Sequence, residues 1–322
     1  MEKIQDAIAK ARDVRKRTLD RSDPAIAPAD QTGPQSGRRT SRDVAETSLD
    51  GIPEGTPQIT GLHITGPHIT GAQTAPRSGL PQHEQIADHW AALPAFAPKA
   101  AHLQRNRIVA FTSGREATAF DVIRTRLLQQ MRANNWRRLA ITSPGPGCGK
   151  SMLTLNLAFS LGRQQDQRTV VIDLDMRRPS MANYLGIKQE YSVAKVLDGT
   201  GVFADSTLRY GKNLAFTPHS GAIRNSAELL QSTRTAEVLD EITATYDPTI
   251  MIFDMPPMQA GDDVMAFVSR VDCVLLVAAA EETTIKQVDT CERDLATQTN
   301  VLGVILNKCR YMSEEESYGY YE

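Results

Sequence analysis

Nine residues constrain this chain more than any others: Ser143-Pro144-Gly145-Pro146-Gly147-Cys148-Gly149-Lys150-Ser151. A short apolar run, Leu139-Ala140-Ile141, leads into them through Thr142. A helical pattern follows, with Leu153, Leu157 and Leu161 at four-residue spacing. Strand, glycine loop, Gly-Lys-Ser and helix is the order that a phosphate-binding loop requires. Small residues let backbone N–H groups close around a phosphate, and the helix N-terminus adds its positive end. In such a loop Lys150 reaches the terminal phosphates and the Ser151 hydroxyl holds Mg²⁺. The strict pattern places glycine where Pro144 stands, and Gly145, Gly147 and Gly149 supply other flexible points. The plain alternative is a Gly/Pro turn with a surface lysine, and two downstream stretches weigh against it.

The first is Thr169-Val170-Val171-Ile172-Asp173-Leu174-Asp175-Met176-Arg177-Arg178-Pro179. A β-branched run ends in two carboxylates two residues apart, which on a strand project to the same side. At the C-terminal edge of a parallel sheet they reach the crevice where ligands bind. The second is Thr249-Ile250-Met251-Ile252-Phe253-Asp254-Met255-Pro256-Pro257. Apolar residues deliver Asp254 to the same edge, as a Walker B aspartate is delivered toward Mg²⁺. An ordinary turn and a capping aspartate are the bland alternatives.

Around these motifs, strands are expected at Cys273–Val277 and Val301–Leu306, with helices near 115–133, 226–245, 261–270 and 284–297. Alternating strands and helices imply an α/β fold with a doubly wound, mostly parallel sheet. Residues 105–307 are therefore read as a P-loop domain. Residues 2–17 look helical and basic, fitting a docking helix or, more plainly, a solvated one. Residues 18–104 are rich in Pro, Gly, Ser, Thr and Gln, lack a sustained period, and are read as a disordered linker. Within them a short repeat carries His63 and His68, read as solvated. Residues 308–322 hold Tyr311, Tyr318, Tyr320 and Tyr321 among Glu314, Glu315, Glu316 and Glu322, and are read as a mobile tail.

Composition narrows the function. The formal net charge of −2 argues against a nucleic-acid partner. No apolar run approaches a bilayer span, and the start lacks the apolar core of a signal peptide, so a cytoplasmic location is expected. Cys148, Cys273, Cys291 and Cys309 have no metal-ligand spacing and are read as reduced thiols.

Together, the glycine loop, Asp173-Leu174-Asp175-Met176-Arg177-Arg178-Pro179, Phe253-Asp254-Met255-Pro256-Pro257, Asn225-Ser226-Ala227-Glu228-Leu229-Leu230 and the tyrosine-rich end resemble the bacterial tyrosine kinases of capsule and exopolysaccharide synthesis. The resemblance covers about residues 105–322. It implies an ATP-dependent protein-tyrosine autokinase that regulates polysaccharide polymerisation and export, with ATP and Mg²⁺ as cofactors. Lys150, Asp173, Asp175 and Asp254 would be catalytic, with Asp173 as proton acceptor. Ser151, Asp175 and Asp254 would hold the metal. Gly145, Pro146, Gly147, Cys148, Gly149, Lys150, Ser151, Met152, Arg177 and Asn307 would contact nucleotide, Asn307 near adenine. Tyr311, Tyr318, Tyr320 and Tyr321 would be autophosphorylated between molecules. Implied partners are a second copy, an inner-membrane polysaccharide co-polymerase that brings the chain to the membrane, and a cognate tyrosine phosphatase. The family's ring-assembly motif is reduced, its positions being held by Thr118, Asp121 and Arg124.

Two rivals share the motifs. A ParA/MinD-like assembly-switch ATPase carries a second lysine five residues before the first, where Gly145 stands. A non-catalytic nucleotide-binding adaptor would not need Lys150, Asp173, Asp175 and Asp254 together.

Overall fold

The computed structural model describes residues 82–309. The helix expected at 2–17, the repeat with His63 and His68, and the four tail tyrosines lie outside the described residues.

Seven strands form one sheet: β1 (Arg138–Thr142), β2 (Thr169–Asp173), β3 (Leu208–Tyr210), β4 (Leu214–Thr217), β5 (Ile250–Asp254), β6 (Cys273–Ala279) and β7 (Asn300–Asn307). Their order is β3-β4-β2-β5-β1-β6-β7, parallel throughout except for β3 against β4. Burial on both faces explains the unbroken apolar runs of β1, β2, β5 and β6. Alternation then sorts the side chains: Val170 and Ile172 of β2 enter one core, Val171 the other.

Ten helices flank the sheet among the described residues: α1 (Gln82–Ala92), α2 (Ala100–Arg105), α3 (Thr118–Ala133), α4 (Lys150–Gly162), α5 (Met181–Leu185), α6 (Val193–Leu197), α7 (Ser226–Gln231), α8 (Thr233–Tyr246), α9 (Asp263–Phe267) and α10 (Ile285–Leu295). Helix α4 is buried from Lys150 through Leu161 except at half-buried Met152, so its leucines repeat around the whole cylinder rather than along one stripe. The helix expected over 226–245 is two. Ser232 leaves the helical conformation (φ −62°, ψ 147°), and its hydroxyl accepts the Thr235 N–H to cap α8.

The boundary expected at 104/105 is corrected. Helices α1 and α2 lie inside the segment read as linker, and Trp90, Leu93 and Leu103 are buried. The Trp90 indole donates to Tyr246 O of α8 at 2.7 Å. Phe96 N donates to Arg209 O and Arg209 N to Pro94 O, both at 2.8 Å, which pairs this segment with edge strand β3. A few large apolar residues anchor a stretch whose other apolar residues are mostly alanine.

The sheet order reverses at β1, between β5 and β6, and in open sheets of this kind ligands bind at the C-terminal edge of that point. Register sets three segments side by side: Asp173 of β2 faces Asp254 of β5, and Asp254 faces Ile141 of β1, just before the glycine loop.

Candidate nucleotide site

The loop is held before it is filled. Thr142 Oγ1 donates to Pro256 O (2.7 Å), Met255 N to Ile141 O (2.9 Å) and Met258 N to Ser143 O (2.8 Å), tying it to the segment after β5. Ser143 Oγ and Cys148 Sγ both donate to Gly145 O, at 2.8 and 3.3 Å. Gly147 and Gly149 have φ of 80° and 88°, left-handed values that glycine adopts without strain. A Cβ on Gly147 would meet open space, whereas one on Gly149 would lie 2.3 Å from Asn307 Nδ2.

Asn307 closes the loop from the other end of the fold. It ends β7 and its amide donates to Cys148 O at 2.8 Å. The family resemblance implies that Asn307 lies near adenine; here its direct partner is the glycine loop itself. Cys148 is buried, and its thiol links Gly145 O and Thr283 Oγ1 (3.6 Å).

Lys150 and Ser151 begin α4, and both are buried. The Lys150 ammonium donates to Asp175 Oδ2 at 2.7 Å and approaches Ser151 Oγ at 3.4 Å. Asp175 Oδ1 accepts the Arg178 N–H at 3.1 Å. Asp173 accepts the N–H groups of Asp175 and Met181, each at 3.2 Å. Asp254 Oδ1 lies 3.5 Å from Thr154 Oγ1, while its buried Oδ2 has no hydrogen-bond partner among the described residues.

Three buried acids thus surround one lysine. Burial opposes the charge on Lys150, but Asp254 and then Asp175 outweigh it and hold its pKa above the ordinary value. Burial first, and Asp254 second, push Asp173 well above the carboxylate range. Burial also raises Asp254, and Lys150 opposes that rise.

This arrangement fits a nucleotide with a hard cation. The unpartnered Asp254 oxygen, the neighbouring acids and the Ser151 hydroxyl are all oxygen ligands, which suit Mg²⁺. No three His, Cys, Asp or Glu side chains form a protein-only metal cage among the described residues. Mg²⁺ ordinarily keeps one or two carboxylates and takes its remaining oxygens from phosphate and water.

Three expected positions have other engagements. Arg177 Nε donates to Asp263 Oδ2 at 2.5 Å, and Nη2 lies 3.5 Å from Asp262. Met152 is half-buried beside Asn156, its sulfur 3.1 Å from Asn156 Nδ2. Arg124 bonds Asp121 (3.2 Å), Ser160 O (3.1 Å) and Ser160 Oγ (3.2 Å), so the remaining arginine of the reduced ring motif is used within the fold.

Two residues went unread. Thr154 sits one turn after Lys150, donates to Lys150 O at 2.9 Å and reaches toward Asp254; four-residue spacing alone was its signal. Asp263 is buried between Arg177 and Ser226, whose hydroxyl donates to it, and nothing local in the sequence marks it.

Residues 135–320, more than half of the chain, match the family model described as ParA, NUBPL iron-transfer P-loop NTPase. Among curated proteins, tyrosine-protein kinase YwqD of Bacillus subtilis is 29% identical over 227 residues, covering 69% of this chain and 94% of that protein. Tyrosine-protein kinase wzc of Salmonella typhimurium is 31% identical over 208 residues, 63% of this chain but 28% of that much longer protein. The kinase domain of the Escherichia coli tyrosine kinase ETK superposes with a TM-score of 0.57 at 28% identity, covering 65% of this chain and 82% of that domain. The chain belongs to the ParA-type P-loop NTPases, and within them it is similar to the bacterial tyrosine-protein kinases named above.

Proposed function

We propose that this chain is an ATP-dependent tyrosine autokinase that acts on the tyrosine-rich end of a second copy, Tyr311, Tyr318, Tyr320 and Tyr321, and thereby regulates polysaccharide polymerisation and export. The observation that carries the reading is the cluster of Lys150, Asp173, Asp175 and Asp254 at the mouth of the glycine loop.

A tyrosine hydroxyl, with an ordinary pKa of about 10, needs a proton acceptor. Burial and Asp254 make Asp173 a stronger base than a free carboxylate, which suits that role. The tyrosine oxygen bonds to the terminal phosphorus of ATP, the bond to the ADP oxygen breaks, and the hydroxyl proton passes to Asp173. Lys150 neutralises charge on the transferring group. Mg²⁺, held by Ser151, Asp175 and Asp254, would add charge neutralisation at the phosphates. Asn307 keeps the loop closed through Cys148 O and would border the nucleotide.

The switch-ATPase reading shares the family and the fold, but the glycine at position 145 cannot supply its second lysine. Among the described residues no helix is long and apolar enough to cross a membrane. An inner-membrane co-polymerase is the proposed link to the membrane, and a tyrosine phosphatase the proposed counter-enzyme. Incubating the protein with γ-labelled ATP separates the readings. Phosphotyrosine supports the kinase, phosphate release alone the switch, and neither the adaptor.

A further inference from the structure

Three arginines stand on the two loops that border the acidic cluster, and they are not equivalent. Arg177 is paired with Asp263 and Asp262. Arg178 and Arg224 are exposed, and neither side chain has an ion-pair or hydrogen-bond partner among the described residues. Yet the backbone that carries both is bonded to the segment of the acids. The Arg178 N–H bonds Asp175 Oδ1, and Ile223, the neighbour of Arg224, donates its N–H to Met176 O at 2.9 Å.

The loop that carries Arg224 is pinned at several points. Ser220 N donates to Tyr191 O at 2.8 Å, and Tyr191 N returns a bond to Ser220 Oγ at 3.1 Å. Ser226 donates to Asp263, the acid that also holds Arg177. The two free guanidinium groups are thus mounted on backbone that is already ordered, which lowers the cost of using them for binding.

Their placement answers a problem of charge. Asp173, Asp175 and Asp254 outnumber Lys150 at the phosphoryl-transfer centre. The chain's own tyrosine segment carries Glu314, Glu315, Glu316 and Glu322. An acidic peptide approaching an acidic site needs a cationic rim outside the centre. Arginine suits the task, because its planar fork pairs with a carboxylate through two parallel bonds.

We propose that Arg178 and Arg224 form the rim that recognises the acidic flank, Glu314-Glu315-Glu316, of the tyrosine segment of a second copy, so that this kinase selects tyrosines in acidic sequence. The proposal rests on the kinase reading for its consequence but not for its binding step, and the two are measured separately.

Two measurements use the whole protein and a synthetic peptide spanning Met312–Glu322, with a sister peptide bearing Lys in place of Glu314, Glu315 and Glu316. Fluorescence anisotropy reads peptide binding, and phosphotyrosine formation reads turnover. The variants are Arg178→Ala/Arg224→Ala and Arg178→Glu/Arg224→Glu, each checked for an unchanged melting temperature. The acidic peptide should bind the unchanged protein and lose roughly tenfold in affinity with the alanine pair at low salt. KM should rise by a similar factor with kcat preserved. The lysine peptide should bind the unchanged protein poorly and recover with the glutamate pair, a reversal that a folding defect cannot produce. Equal affinity of both peptides for all three proteins would overturn the rim. So would binding of the charge-reversed pair to the acidic peptide, or a cationic patch that holds anionic lipid vesicles but not the peptide. Binding with the expected pattern but no phosphotyrosine would sink the kinase reading and leave the rim standing.

Discussion

Lys150 Nζ and Asp175 Oδ2 are 2.7 Å apart, with both side chains buried. The glycine-loop lysine is thus oriented by an acid on the loop after β2, and Asp254 helps to keep it charged. Asp175→Asn removes the ion pair. Breaking an isolated buried pair costs about 3–5 kcal/mol. Because Asp254 remains as a second source of negative charge, a loss of about 1–3 kcal/mol is expected, the range of one buried polar group left unpaired. Chemical denaturation measures this, and phosphotyrosine formation should fall with it.

Asp254→Asn should act in the opposite direction on stability. Burial raises the Asp173 and Asp254 pKa values in the folded state. A raised folded pKa gives stability that is present below the unfolded value and is lost as pH rises through the folded one. Near neutral pH Asp173 and Asp254 therefore weigh against the fold. The variant should melt higher at pH 7, by an amount worth about 1 kcal/mol, and match the unchanged protein near pH 4. It should also lose phosphotyrosine formation, because Asp254 carries the unpartnered oxygen offered to the metal. Calorimetry at the two pH values tests the sign; a lower melting temperature at pH 7 contradicts it.

His219 sets a second pH dependence. It is buried, and burial lowers its pKa from the ordinary value of 6.5. The unfolded chain takes up a proton below about pH 6.5 while the folded chain resists, so stability falls as pH drops through that range. His219→Gln should flatten the stability profile between about pH 7 and pH 5, as read from denaturation midpoints.

Trp90→Ala tests whether the segment before residue 105 belongs to the domain. The ring is 3% exposed, meets Tyr246 edge-on at a centroid distance of 6.4 Å and donates to its carbonyl. Truncating so buried an aromatic costs about 3–5 kcal/mol. A chain beginning at Arg107 should be destabilised at least as much, because it also loses Leu93 and Leu103. If both melt like the full chain, the packing described for α1 and α2 is wrong.

The site was legible where its chemistry is local. A glycine loop before Gly149-Lys150-Ser151, and acids ending Val170–Ile172 and Ile250–Phe253, announce themselves in short windows. Parallel pairing then had only to bring Asp173 and Asp254 into register. What escaped depends on distant partners. The pairing of Arg177 with Asp263 spans 86 positions and that of Asn307 with Cys148 spans 159, so no window contains either. Strands β3 and β4 are three and four residues long, too short for alternation to emerge. The apolar residues of 82–104 are mostly alanines, and only tertiary contact shows that Trp90, Leu93 and Leu103 are core residues.

The central claim is that phosphoryl transfer to tyrosine occurs at Lys150, and Lys150→Met tests it most directly. Methionine keeps the length of the side chain and removes its charge. The variant's fold is checked by circular dichroism, and phosphotyrosine is then measured after incubation with ATP and Mg²⁺. Losing the cation that neutralises the transferring phosphate should lower phosphotyrosine at least a hundredfold, about 2.7 kcal/mol of transition-state stabilisation. Undiminished phosphotyrosine in a folded Lys150→Met protein would contradict the assignment of the kinase to this site.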